Sequence, residues 1–100
     1  MADAIILEFT GVDADQYWAV NDKLGIDMKG GSGPYPAGLI THAGGLADDG
    51  RFVVSEVWES RDAQSAFMAG QLGAALGTVG VPEPDRVTWI SLEAHQEPGA

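Results

Sequence analysis

A strand that runs into a helix with no loop between them is the strongest constraint on this chain. Across Gly50–Phe67, "GRFVVSEVWESRDAQSAF", the apolar, β-branched run Arg51–Glu59 reads as a strand. Ser60 then reads as the N-cap of a helix, "RDAQSAFMAGQLGAAL", with Asp62 in the first turn, where an anion suits the positive helix end. Ala63, Phe67 and Leu72 can supply the buried stripe, with Ala66 and Met68 beside it. Gly70, Gly73 and Gly77 weaken the helix, which is expected to fray or end before Gly77.

The same alternation occurs upstream. "AIILEF" (Ala4–Phe9) is a first strand, and "GVDADQYWAVNDKLG" a first helix. Asp13 and Gln16 have the spacing of a capping box, Tyr17, Val20 and Leu24 recur at helical spacing, and Gly25 is a stop. Met28–Pro36, rich in Gly and Pro, is a loop. Ala37–Gly44 is a second strand, joined to the third by a turn with Asp49-Gly50 as its hairpin signal. Arg86–Ala94 is a fourth strand after the loop "GVPEPD", and 95–100 a mobile tail. Residues 1–94 are thus expected to form one domain.

The order β-α-β-β-α-β is the ferredoxin-like α+β pattern. Right-handed crossovers place both helices on one face of a four-stranded antiparallel sheet. A sheet with one wet face should alternate apolar and polar residues. Here Ile5, Leu7 and Phe9 share one face and Ile6 lies on the other. Phe52, Val54 and Trp58 oppose Val53 and Val57, and Val87 and Trp89 oppose Ile90 and Leu92. So much apolar surface on the second face points to a homodimer, sheet against sheet.

Composition excludes several classes. The 100 residues include no cysteine, which removes disulfides, thiolate nucleophiles and cysteine-ligated metals. Two histidines without a carboxylate cluster do not make a metal site. Five basic residues against fifteen acidic give a net charge of −10, and the basic ones are scattered, so no nucleic-acid partner is expected. No membrane-spanning run and no signal peptide are visible, and a cytoplasmic location is expected. The glycines of "GGSGPYPAG" precede a strand, which is the wrong context for a dinucleotide fingerprint.

The candidate site residues come from the strands and the first helix. Glu56 shares strand parity with Phe52, Val54 and Trp58, and a carboxylate on a buried face needs a partner. His42 can supply it: a hairpin with His42 opposite Val54 makes His42 and Glu56 diagonal neighbours. A slip of one residue separates them. Such a pair serves general acid–base catalysis, or equally a structural ion pair or a dimer contact. Trp58 is a pocket wall or a core anchor. Tyr17 and Asn21 share a helix face, with Trp18 beside them. Tyr17 and Trp18 can wall a pocket and Asn21 orient a ligand, or they pack and Asn21 faces solvent.

The run "PAGLITHAGG…DDGRFVVSEVWESRDAQSAFMAGQL" resembles the dimeric α/β-barrel superfamily, and within it small antibiotic-biosynthesis-monooxygenase-like proteins. The positions carrying the resemblance are Pro36, Gly38, His42, Val57, Trp58, Glu59, Ser60 and Phe67. It implies a pocket between sheet and helices, lined by aromatic side chains and a few hydrogen-bonding groups. It also implies activities that include cofactor-free oxygenation of polyketide quinols, haem degradation, isomerisation and cyclisation. The resembling haem enzymes carry a ligating histidine on the second helix, and this helix has none. The resemblance therefore implies a small-molecule enzyme without a cofactor, acting on an aromatic or polyketide-type ligand with His42 and Glu56 as its catalytic pair. The other reading is a non-catalytic dimeric module that binds a small apolar ligand.

Overall fold

The computed structural model describes residues 2–25 and 35–94. The expected loop over Met28–Pro36 lies largely outside the described residues, as does the expected tail. Four strands, β1 (Asp3–Phe9), β2 (Leu39–Leu46), β3 (Phe52–Trp58) and β4 (Arg86–Ser91), form one antiparallel sheet in the order β2-β3-β1-β4. Helix α1 (Ala14–Leu24) follows β1. Helix α2 (Arg61–Phe67), a π-helical turn (Met68–Leu72) and α3 (Gly73–Val79) connect β3 to β4. This is the β-α-β-β-α-β order read from the sequence.

Local chemistry explains the helix ends. The Asp13 side chain accepts from Gln16 N at 2.9 Å, and Asp13 N donates to Gln16 Oε1 at 3.1 Å, a complete capping box. Gly25 closes α1 in the left-handed region. Ser60 Oγ accepts from Ala63 N. The second helical segment breaks at a kink at Gly70, before Gly77, and a separate helix then runs to Val79 and stops at Gly80. Gly70 leaves helical geometry (φ −102°, ψ −107°), and a Cβ on Gly73 would stand 2.6 Å from Met68 O. Glycine thus breaks the segment with a kink, and a second helix follows it. The buried residues here are Gln64 and Ala75, while Ala66 is exposed.

Ile5, Leu7, Phe9, Phe52, Val54 and Trp58 point to the helices and form the core. Two details depart from the expected hairpin. Ala37 and Gly38 belong to a turn, so β2 starts at Leu39. The connection to β3 is a three-residue loop closed by Ala47 N to Arg51 O at 2.8 Å, with Gly50 left-handed. β4 stops at Ser91, short of Ala94.

The register of β2 carries most consequence for the site. Leu39 pairs with Trp58 but Thr41 pairs with Val57, so Ile40 is an extra, bulged residue. A bulge reverses side-chain parity on the strand that carries it. Leu39 and His42 therefore both face the helices, although three positions apart. His42 lies directly opposite Glu56, and Gly44 takes the expected place opposite Val54.

Candidate active site

The bulge and α1 assemble a chain of hydrogen bonds from four side chains. Trp58 Nε1 donates to Glu56 Oε1 at 3.0 Å. Glu56 Oε2 lies 2.7 Å from His42 Nδ1, and His42 Nε2 lies 2.6 Å from Tyr17 Oη. An ionised Glu56 holds a proton on Nδ1, which leaves Nε2 to accept from the Tyr17 phenol. Glu56 is 5% exposed and Trp58 0%. Among the described residues no buried side-chain nitrogen or oxygen lacks a partner.

A cavity of about 70 Å³, partly open to solvent, lies between sheet and helices. The sheet contributes Leu7, Phe9, Phe52, Val54, His42 and Glu56. Helix α1 contributes Tyr17, Val20, Asn21 and Leu24, and the second helical segment Phe67, Met68, Leu72 and Leu76. The described polar lining is thus Tyr17, Asn21, His42 and Glu56, and it contains no Lys or Arg. The volume is about half that of the roughly 150 Å³ cavity that admits a benzene ring. A larger ligand must reach out through the open side or displace wall residues. Among the described residues no group of three or more His, Asp or Glu side chains could hold a metal ion.

Of the six residues singled out from sequence, four line the cavity. Asn21 is buried, with Nδ2 donating to Tyr17 O at 3.1 Å. Trp58 stands behind the cavity wall, where its indole holds Glu56. Trp18 packs edge-on against the Tyr17 ring at 5.1 Å and is not part of the lining. Burial pushes the Tyr17 phenol above its usual 10.0; the Asn21 side chain opposes this and the Glu56 charge adds to it. Gly44 was not foreseen as part of the site. The expected second strand ends at Gly44, whereas β2 runs on to Leu46 and so holds the Gly44-Gly45 pair inside a strand, a mark of close approach to the backbone.

No protein-family model matches the chain, and no curated protein matches it by sequence. Solved structures do match. Rv0793 from Mycobacterium tuberculosis superposes with a TM-score of 0.67 at 18% identity, over 97% of this chain and 100% of that one. SnoaB, a cofactor-independent oxygenase from Streptomyces nogalater, gives 0.62 at 13% identity over 99% and 98%. The chain has the fold of antibiotic-biosynthesis monooxygenases. A monooxygenase of the gene ActVA-Orf6 of Streptomyces coelicolor, solved with nanaomycin D, gives 0.56 at 18% identity over 98% and 91%. At these identities the likeness to this monooxygenase fold describes architecture, and the chemistry has to be argued from the residues.

Proposed function

We propose that the protein is a small-molecule enzyme that ionises an aromatic or polyketide-type substrate in the helix–sheet cavity, in the manner of a cofactor-free monooxygenase. The observation that carries this reading is the hydrogen-bonded pair of part-buried His42 and buried Glu56 on a cavity whose other polar lining is Tyr17 and Asn21. A ligand that fills the open side would exclude water and strengthen the pair's electrostatics, and the fixed geometry brings base and substrate together. In this reading His42 and Glu56 are the acid–base pair. Tyr17, Asn21, Trp18 and Trp58 shape or orient its surroundings. Loss of a proton leaves an electron-rich substrate anion that can reduce oxygen itself, so no resident metal, flavin or haem is required.

The proposal extends to assembly. The sheet face away from the helices carries Ala4, Ile6, Val53, Val57 and Ile90, and Ile90 is 41% exposed. A second copy of the chain is the proposed cover, giving a homodimer. No helix among the described residues is long and apolar enough to cross a membrane. We place the protein in the cytoplasm, with residues 1–94 as its single folded unit.

Anthrone is a suitable test substrate: its methylene protons are acidified by a carbonyl, and anthrone plus oxygen gives anthraquinone plus water. The expected result is protein-dependent oxygen uptake and anthraquinone formation, lowered about 100-fold or more by His42→Ala and by Glu56→Gln. Unchanged turnover in both variants refutes the acid–base assignment. Binding of anthrone without turnover favours the non-catalytic ligand-binding module instead.

A further inference from the structure

The relay has a free end, and the imidazole is not that end. Nδ1 and Nε2 of His42 are both engaged, by Glu56 and by Tyr17. Both Glu56 oxygens are engaged, by Trp58 and by His42. A phenol has one O–H donor and two acceptor lone pairs, and the contact with Nε2 uses only the donor. With the Asn21 side chain taking one lone pair, the Tyr17 oxygen keeps one acceptor site at the cavity, and burial keeps the phenol protonated at neutral pH.

What seats this phenol is an absent side chain on β2. A Cβ built on Gly44 would lie 2.8 Å from Tyr17 Cε1, 2.9 Å from Cζ and 3.0 Å from Oη. Gly44 does not have a positive φ, so the backbone would accept alanine there and only the ring forbids it. Its neighbour Gly45 has nothing within 4 Å of a built Cβ. The two adjacent glycines therefore differ in the one property at issue.

We propose that Tyr17 is the catalytic residue that exchanges a proton with the ligand, and that Gly44 is the positioning residue that seats it. This rests on the acid–base reading of the site given above. In the step, a ligand C–H or O–H bond breaks and its electron pair stays on the ligand as an enolate or phenolate. That proton bonds to Tyr17 Oη as the phenol's own proton passes to His42 Nε2. The resulting imidazolium faces the ionised Glu56, and the reverse sequence returns the proton. With no Lys or Arg in the described lining, the ligand class is a neutral molecule with one acidic proton, such as an enolisable aryl ketone.

Two measurements test this. The chain has two tyrosines and two histidines, so isotope-edited NMR of the tyrosine Cζ and the imidazole nitrogens resolves Tyr17 and His42, with Tyr35→Phe and His95→Gln for assignment. Gly44→Ala should shift both resonances, and Gly45→Ala neither. The second measurement is deuterium exchange into β-tetralone without oxygen. Tyr17→Phe keeps the ring and should lower kcat about 100-fold. Gly44→Ala should lower kcat about 10-fold or more with KM within about two-fold, since misplacement of the order of 1 Å has effects of that size. Gly45→Ala should match the wild type. If His42→Ala stops exchange while Tyr17→Phe does not, the imidazole meets the ligand directly; this proposal then falls and the acid–base reading stands. If the wild type gives no exchange, or none of these variants changes it, both fall. Unmoved Tyr17 and His42 resonances in Gly44→Ala overturn the role of Gly44.

Discussion

Replacing Trp58 by phenylalanine should separate what its indole does as a packed ring from what it does as a donor. The side chain is fully buried, and its N–H holds one oxygen of a carboxylate that is itself 5% exposed. A hydrogen bond to a charged group contributes about 1.5–3 kcal/mol. The smaller ring also leaves a void and loses contacts, which costs roughly 1–2 kcal/mol for a partial truncation of this kind. Trp58→Phe should therefore destabilise the fold by about 2.5–5 kcal/mol, a large part of the roughly 5–15 kcal/mol typical of a domain. With a urea dependence of about 1.5 kcal/mol per molar, the unfolding midpoint falls by roughly 2 M or more. Far-ultraviolet circular dichroism is the appropriate assay, because the substitution removes a fluorophore. The same replacement in a Glu56→Gln background removes only a neutral hydrogen bond, worth about 0.5–1.5 kcal/mol, plus the same ring. The loss there should be smaller by about 1 kcal/mol or more. Equal losses in the two backgrounds, within about 0.3 kcal/mol, would show that the indole does not hold an ionised Glu56, and the charge assignment along the relay would fail.

Three further outcomes are expected. The Tyr17 phenol is raised above 10.0 in the folded chain, so its contribution to stability is complete below that pH and is lost as pH rises through the folded value. Urea midpoints measured from neutral pH upward should fall beyond about pH 10, and the fall should be shallower in Tyr17→Phe. Asp13→Ala removes one half of the α1 capping box and should cost about 1 kcal/mol by thermal melting; an effect below about 0.3 kcal/mol would show that the cap does not hold the helix. Ile90→Lys places a charge on the apolar outer sheet face, on the edge strand β4. Light scattering should then report one chain mass for the variant and two for the wild type, and an unchanged mass in the variant places the interface elsewhere.

The architecture was legible because it rests on short-range chemistry. Alternating apolar runs, a capping box at Asp13 and Gln16, a Ser60 cap directly after a strand, and glycine stops each act within a few residues. Together they leave few topologies open. The second helical segment was harder to read because Gly70 and Gly73 admit two outcomes, a final end or a kink with a second helix beyond it. Packing of Phe67, Met68, Leu72 and Leu76 over the sheet is what accompanies the second.

For the site, residue types and strand parity were enough to single out His42, Glu56 and Tyr17, while their meeting was a tertiary outcome. Without the bulge at Ile40, a strand with Leu39 facing the helices would turn His42 to the opposite face, away from Glu56. The bulge reverses that parity, and the register then sets the two side chains directly opposite each other. Gly44 had meaning only once α1 had laid the Tyr17 ring across β2. The sequence by itself thus determined which elements form and which residues are available for chemistry, because those depend on local periodicity and capping. Only the folded sheet decided which polar groups touch, because that depends on one extra residue in a strand and on the space left where one side chain is missing.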